Sequence, residues 1–221
     1  MAATATTVFS GALVEAARSI RDGYALAAYD HRPSLPQDFA APWARTEGFR
    51  LGYACFKREV ARVLRPAAIL EIGVGIGISA LAFLDACPSA RYLGVDDDSE
   101  CGCDFPVRPS EFVCGLMREH GYRGDVIVAD SQSLDTLQFT PDLVHVDGCH
   151  LRDATAHDVT LAWSVLPEHS GYILVDDARD SAVAAGTFDA LAALQPGSVE
   201  WAYFDDTWTG NILISKELPR P

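Results

Sequence analysis

The run from Leu70 to Ser79, Leu-Glu-Ile-Gly-Val-Gly-Ile-Gly-Ile-Ser, constrains this chain more than any other feature. An apolar strand enters a turn with glycines at 73, 75 and 77, and a helical pattern starts near Gly77. Glycine admits positive φ and puts no Cβ between backbone and ligand, so amide N–H groups at the mouth of the helix can close on a bound group. The spacing is G-x-G-x-G, whereas the dinucleotide fingerprint is G-x-G-x-x-G and normally lacks an acid such as Glu71 inside the strand. A strand, turn and helix of this kind predict an α/β fold with a nucleotide-like cofactor at the strand's carboxyl end. A tight turn without a ligand is the alternative.

The rest of the chain repeats the alternation. Apolar strand candidates at 67–72, 91–96, 125–129, 143–146, 172–175, 199–204 and 211–215 are separated by amphipathic segments at 78–86, 110–120, 131–137, 152–165 and 180–194. This predicts a doubly wound, Rossmann-like, seven-stranded and mostly parallel sheet with helices on both faces. Only Asp205-Asp-Thr-Trp-Thr-Gly joins the last two strands, too short for a helical crossover, so they form a C-terminal antiparallel hairpin. Upstream, an Ala-rich helix over 10–28 and the Pro-interrupted His31-Arg-Pro-Ser-Leu-Pro lead to Trp43 and a helix over 47–64. Residues 1–46 read as a helical cap on a main domain of 47–221.

Charge and composition exclude several function classes. With 17 basic against 31 acidic residues the net charge is −14, a field that repels nucleic acid. No apolar run reaches the roughly 18 residues of a membrane span, and the amino terminus lacks a basic signal-peptide region. The expectation is a soluble, cytoplasmic protein with no membrane partner. Six cysteines at 55, 87, 101, 103, 114 and 149 read, in a chain of this size and expected location, as reduced thiols rather than a disulfide framework, and a zinc site at Cys101, Cys103, Cys114 and Cys149 would lack paired C-x-x-C ligands.

In open α/β sheets ligands bind beyond the carboxyl ends of strands, and here those ends are acidic. They read Asp96-Asp-Asp98, Asp130-Ser-Gln132, Asp147-Gly-Cys-His150 and Asp176-Asp177. Helix capping accounts for some of these, Asp98 and Asp130 most easily. Asp96, with Asp97 next to it, is placed to accept from two ribose hydroxyls, and Asp130 and Ser131 to meet an adenine ring. Asp147, Asp176 and Asp177 fall on adjacent strand ends, where mutual repulsion disfavours ionisation unless a hard divalent cation such as Mg²⁺ intervenes. His150 sits beside them with an ordinary pKa suited to proton removal.

Together, Glu71 to Ser79, Asp96, Ala129-Asp-Ser-Gln132 and the terminal hairpin resemble the class I S-adenosylmethionine-dependent methyltransferases over residues 47–216. Within them the chain looks most like the cation-dependent O-methyltransferases, which include catechol and caffeoyl-CoA enzymes and relatives acting on natural-product sugars. The resemblance implies that Glu71, Gly73, Gly75 and Gly77 meet the methionine end of the cofactor and that Ser79 holds its carboxylate. It puts the ribose on Asp96 and the adenine near Ser131 and Gln132. It assigns a divalent cation to Asp147, Asp176 and Asp177, the last being Asn in the family, and the catalytic base to His150, where the catechol branch has lysine. The implied substrate is a small-molecule hydroxyl: a phenol, a catechol or a natural-product sugar. Tyr24, Trp43, Phe204 and Trp208 are candidate walls for it, and a homodimer is a possible assembly. An NAD-type oxidoreductase and a non-catalytic cofactor-binding protein are the competing readings.

Overall fold

Helix α1 (Gly11–Leu26) and a π-helical turn (Arg50–Ala54) that runs straight into α2 (Cys55–Leu64) precede the sheet. The structure, a computed structural model, describes residues 11–26, 50–99, 108–168, 170–194 and 199–216. Helix α2 stops where Arg65 turns left-handed, at φ 50°, and donates its N–H to the Ala61 carbonyl just ahead of Pro66. The alternation then runs β1 (Ala68–Ile72), α3 (Ile78–Ala86), β2 (Arg91–Asp96), α4 (Pro109–Glu119) and β3 (Arg123–Val128). It continues with β4 (Leu143–Val146), α5 (Arg152–Val165), β5 (Tyr172–Val175), α6 (Ser181–Ala193), β6 (Glu200–Phe204) and β7 (Asn211–Ser215).

The strand order is β3-β2-β1-β4-β5-β7-β6, parallel except where β7 inserts antiparallel to both β5 and β6. This is the sheet the sequence predicts, terminal hairpin included. Register positions the site: Ile72 pairs with Val146, and Val146 with Val175. Gly73, Asp147 and Asp176 therefore leave three adjacent strands at one level.

Side-chain alternation gives each face its own core. Leu70, Ile72, Val144, Val146, Ile173 and Val175 pack with Val159, Ala162 and Val183 of α5 and α6. Ile69, Leu143, Leu174 and Leu213 pack on the other face against Phe56, Phe83 and Met117. Glu71, His145, Asp176 and Asn211 fall in step with that second set, toward α2 and α3.

Two expectations need correction. The segment 131–137 is not a helix but a single 3₁₀ turn, Ser131–Ser133, because local side chains compete for its backbone. Asp130 accepts from the Gln132 N–H, and the Ser133 hydroxyl donates to the Asp130 carbonyl. Helix α3 is not amphipathic: Ile78 through Leu84 are all buried, sealed between the sheet and neighbouring helices. The described part of the expected cap, α1, inserts Leu13, Ala17 and Ile20 into the same core as Phe56 and Phe204. Trp43 and the boundary at 46 lie outside the described residues. No described helix is long and apolar enough to cross a membrane.

Candidate active site

Two adjoining cavities of about 440 and 400 Å³ open at the carboxyl ends of the parallel strands and share Gly73, Gly75, Asp147 and Gly148. The glycine turn divides its work between them. At Gly73, φ is 82° and a Cβ would stand 2.1 Å from the Asp147 carbonyl oxygen, so backbone packs on backbone there. At Gly75, φ is 49° and a Cβ would meet nothing within 4 Å, because that side faces the cavity. Gly73 closes the floor and Gly75 leaves it open.

The smaller cavity holds Asp96, Asp97, Ser99, Asp130, Ser131 and Gln132, bringing together the residues expected around ribose and adenine. Asp96 also builds the turn: its Oδ2 accepts from the Val74 and Gly75 N–H groups at 2.8 and 3.0 Å, and its Oδ1 from the Asp98 N–H. Asp97 is exposed at the same rim, its carboxyl held below the usual range by hydrogen bonds from Ser99. Gln132 is tethered rather than free, donating to the buried Asp158 carboxylate at 2.9 Å. Burial pushes the Asp158 pKa up to about 6.

Glu71 departs from its expected role. It is fully buried, and its oxygens accept from the Ser79 hydroxyl, the Tyr92 hydroxyl and His145 Nδ1, the last at 2.7 Å. A carboxylate so committed braces the turn from below. Ser79 and Gly77 do line the larger cavity, although the Ser79 hydroxyl points inward to Glu71.

The larger cavity also collects Asp147, His150 and Asp177. His150 Nε2 lies 3.2 Å from Asp177 Oδ2 and 3.8 Å from Asp147 Oδ1. The Asp147 carboxylate is the main reason the His150 pKa rises to about 9, with Asp177 and Asp176 adding to it and partial burial opposing. Burial, then the charges of Asp176 and Asp147, lift Asp177 to about 7. Burial opposes ionisation of Asp147 too, but His150, His145, Lys57 and Tyr53 together hold its pKa below the ordinary value. Asp177 occupies left-handed backbone, φ 51°, a strained conformation that tends to mark functional sites in non-glycine residues.

Asp176 lies deeper than the two acids expected to share a cation with it. It is 2% exposed and turned away from the cleft, with Oδ2 2.9 Å from Lys57 Nζ and Oδ1 accepting from the Asp177 N–H and the Thr209 hydroxyl. The three carboxylates thus split into an open pair, Asp147 and Asp177, and an internal one. Asp147, His150 and Asp177 offer donor atoms within 4.8 Å of one another, as do His145, Asp147 and Asp176. Neither group contains a cysteine. Cys55, Cys87, Cys114 and Cys149 are free thiols, and Cys101 and Cys103 lie outside the described residues.

Sequence reasoning missed Tyr53, Lys57, His145 and Thr209. Tyr53, in the π-helical turn, donates to Asp147 Oδ2 at 2.6 Å and stays protonated, because burial and the Asp147 charge raise its pKa well above the ordinary value. A signal was present for Lys57: it shares an α2 face with the buried Val60 and Ala61, and a charge inside an apolar stripe asks for a partner. Of the expected walls, Trp208 lines the cavity, whereas Phe204 is core and Tyr24 packs edge-on to Phe56.

Residues 70–178 match the model of a family described as a methyltransferase domain. The chain carries a methyltransferase domain. That match sets aside the oxidoreductase reading. No curated protein matches the chain by sequence. Among solved structures, the methyltransferase PaMTH1 of Podospora anserina, bound to S-adenosylhomocysteine, is 19% identical at a TM-score of 0.58, covering 96% of this chain and 89% of its own. An O-methyltransferase from Bacillus cereus in complex with S-adenosylhomocysteine is 14% identical at a TM-score of 0.54, covering 91% and 90%. A putative caffeoyl-CoA O-methyltransferase from Staphylococcus aureus is 11% identical at 0.55, covering 73% and 81%. At these identities the likeness is one of fold, and the seven-stranded sheet is the class I methyltransferase sheet.

Proposed function

We propose that this methyltransferase moves the methyl group of S-adenosylmethionine to a hydroxyl oxygen of a small molecule, assisted by a divalent cation such as Mg²⁺. The observation that carries the reading is the convergence of Asp147, His150 and Asp177 on the cavity that the glycine turn opens. The cleft fits the cofactor: the side of Gly75 without a Cβ faces open space, and acids wait at the ribose end. The open pair Asp147 and Asp177 fits a hard cation, with Asp176 withdrawn from that role.

When bound, S-adenosylmethionine supplies an electrophilic sulfonium methyl, and a divalent cation supplies positive charge that acidifies the acceptor hydroxyl. The protein's part is alignment and proton control. The glycine turn seats the cofactor, Asp96 and Asp97 take the ribose, and Trp208 walls the acceptor. His150 accepts the hydroxyl proton at Nε2, which would leave the acceptor oxygen free to take the methyl that the bound cofactor supplies. To do so it must start neutral, whereas the carboxylates by themselves hold its proton up to about pH 9. Offsetting the charge of Asp147 and Asp177 is therefore a requirement of base catalysis here.

The test is methyl transfer to phenolic, catecholic and sugar acceptors with and without EDTA, read by mass spectrometry. Transfer abolished by EDTA and restored by Mg²⁺ supports the reading. Full activity in EDTA removes the cation, and no transfer to any hydroxyl removes the O-specificity.

A further inference from the structure

Lysine is almost never fully buried without a partner, yet Lys57 has no exposed surface. Its ammonium lies 2.9 Å from Asp176 Oδ2, donates to Asn211 Oδ1 at 2.6 Å and sits 4.9 Å from the centre of the Tyr53 ring. Asn211 presents its oxygen because its amide nitrogen donates to the Thr207 hydroxyl at 2.9 Å. The other Asp176 oxygen is held by the Asp177 N–H and the Thr209 hydroxyl. Carboxylate and ammonium are thus fixed from both ends.

Tyr53 stands one helical turn before Lys57. From that helix face one side chain reaches Asp176 and the other reaches Asp147. The acids that leave β4 and β5 at one level are sorted by these contacts: Asp147 and Asp177 line the cleft and Asp176 does not.

We propose that Lys57 is a positioning residue, an internal cation that holds Asp176 inside the protein so that the cleft presents two carboxylates to a divalent ion instead of three. This rests on reading the cleft as a cation-assisted methyl-transfer site. Removing the Lys57 charge while keeping its bulk releases Asp176 as a third oxygen ligand, and affinity for divalent ions rises with the number of charged ligands.

The experiment is calorimetric titration of the full chain with Mn²⁺ alone, for the wild type and for Lys57→Met, Asp176→Asn, Asp177→Asn and the double variant Lys57→Met/Asp176→Asn. Lys57→Met is expected to bind Mn²⁺ about tenfold or more tightly than wild type, and the double variant to return to the wild-type level. Asp177→Asn should weaken binding strongly and Asp176→Asn by less than about threefold. If Asp176→Asn costs as much as Asp177→Asn, Asp176 is a ligand and the proposal is overturned. Unchanged Mn²⁺ affinity in Lys57→Met overturns it too. Should Lys57→Met fail to fold, the comparison of Asp176→Asn with Asp177→Asn decides alone. The double variant, which removes both charges, should then fold. Failure of the methyl-transfer reading appears separately, as absent transfer with this order of Mn²⁺ affinities intact.

Discussion

Two alanine substitutions, two residues apart in one turn, should separate folding from cofactor binding. In Gly73→Ala the new Cβ lies 2.1 Å from the Asp147 carbonyl oxygen, 2.5 Å from its carbon and 2.6 Å from Gly148 Cα, all backbone atoms that no rotamer change can move. Left-handed backbone costs a non-glycine residue about 1–2 kcal/mol, and overpacking adds about 1–3 kcal/mol or more. The sum, about 2–5 kcal/mol, is a large part of a typical domain's stability of about 5–15 kcal/mol. In Gly75→Ala only the backbone cost applies, and stiffening of the unfolded chain offsets about 0.4–1 kcal/mol of it. That variant should fold with a net loss of about 0–1.6 kcal/mol. Its methyl group nevertheless projects into the space shared by both cavities. Urea unfolding and calorimetric titration with S-adenosylhomocysteine read the two effects. The expected result is a strongly destabilised Gly73→Ala and a stable Gly75→Ala whose binding is at least tenfold weaker, about 1.4 kcal/mol. Equal stability of the two variants refutes the backbone contact, and wild-type affinity in Gly75→Ala refutes the glycine turn as the cofactor seat.

The Asp158 carboxyl, with a folded pKa of about 6 against about 3.9 unfolded, holds its proton more tightly in the native state. Its contribution is fully present below pH 4 and is lost as pH rises to 6, up to about 3 kcal/mol. Asp158→Asn should remove that fall, so its stability relative to wild type should grow between pH 4 and pH 8 in urea titrations, and a pH-independent difference would contradict the assignment. The His150 ring, followed by NMR, should titrate near pH 9 in the protein without added ions and lower once Mg²⁺ is present. A titration near 6.5 under both conditions would break the link between carboxylates and base. Tyr53→Phe strips one donor from the Asp147 carboxylate and should cost about 1–3 kcal/mol, a drop of several degrees in Tm, with cofactor affinity retained. An unchanged Tm would mean that the tyrosine hydroxyl carries no structural load there.

Strand positions and the terminal hairpin were legible in the sequence because apolar periodicity and turn length are local properties. Strands β2, β4, β5 and β7 span the same residues as their sequence patterns. The segment 131–137 misled because its apolar spacing ignores how Asp130 and Ser133 capture the backbone. Cys101, Cys103 and Trp43 fall outside the described residues.

The sequence by itself determined that Gly73, Gly75, Asp96, Asp147 and Asp177 would gather at the carboxyl edge of a parallel sheet, since each follows a strand and register does the rest. Only the tertiary structure decided which side chains face the cleft. Glu71 and Asp176 carry the same charge as their neighbours, and the alternation of the pleat turns both toward α2 and α3. There Ser79, Tyr92 and His145 claim Glu71, while Lys57 and Thr209 claim Asp176. Lys57 precedes Asp176 by more than a hundred residues, and only the packing of α2 across β5 and β7 brings that ammonium to that carboxylate.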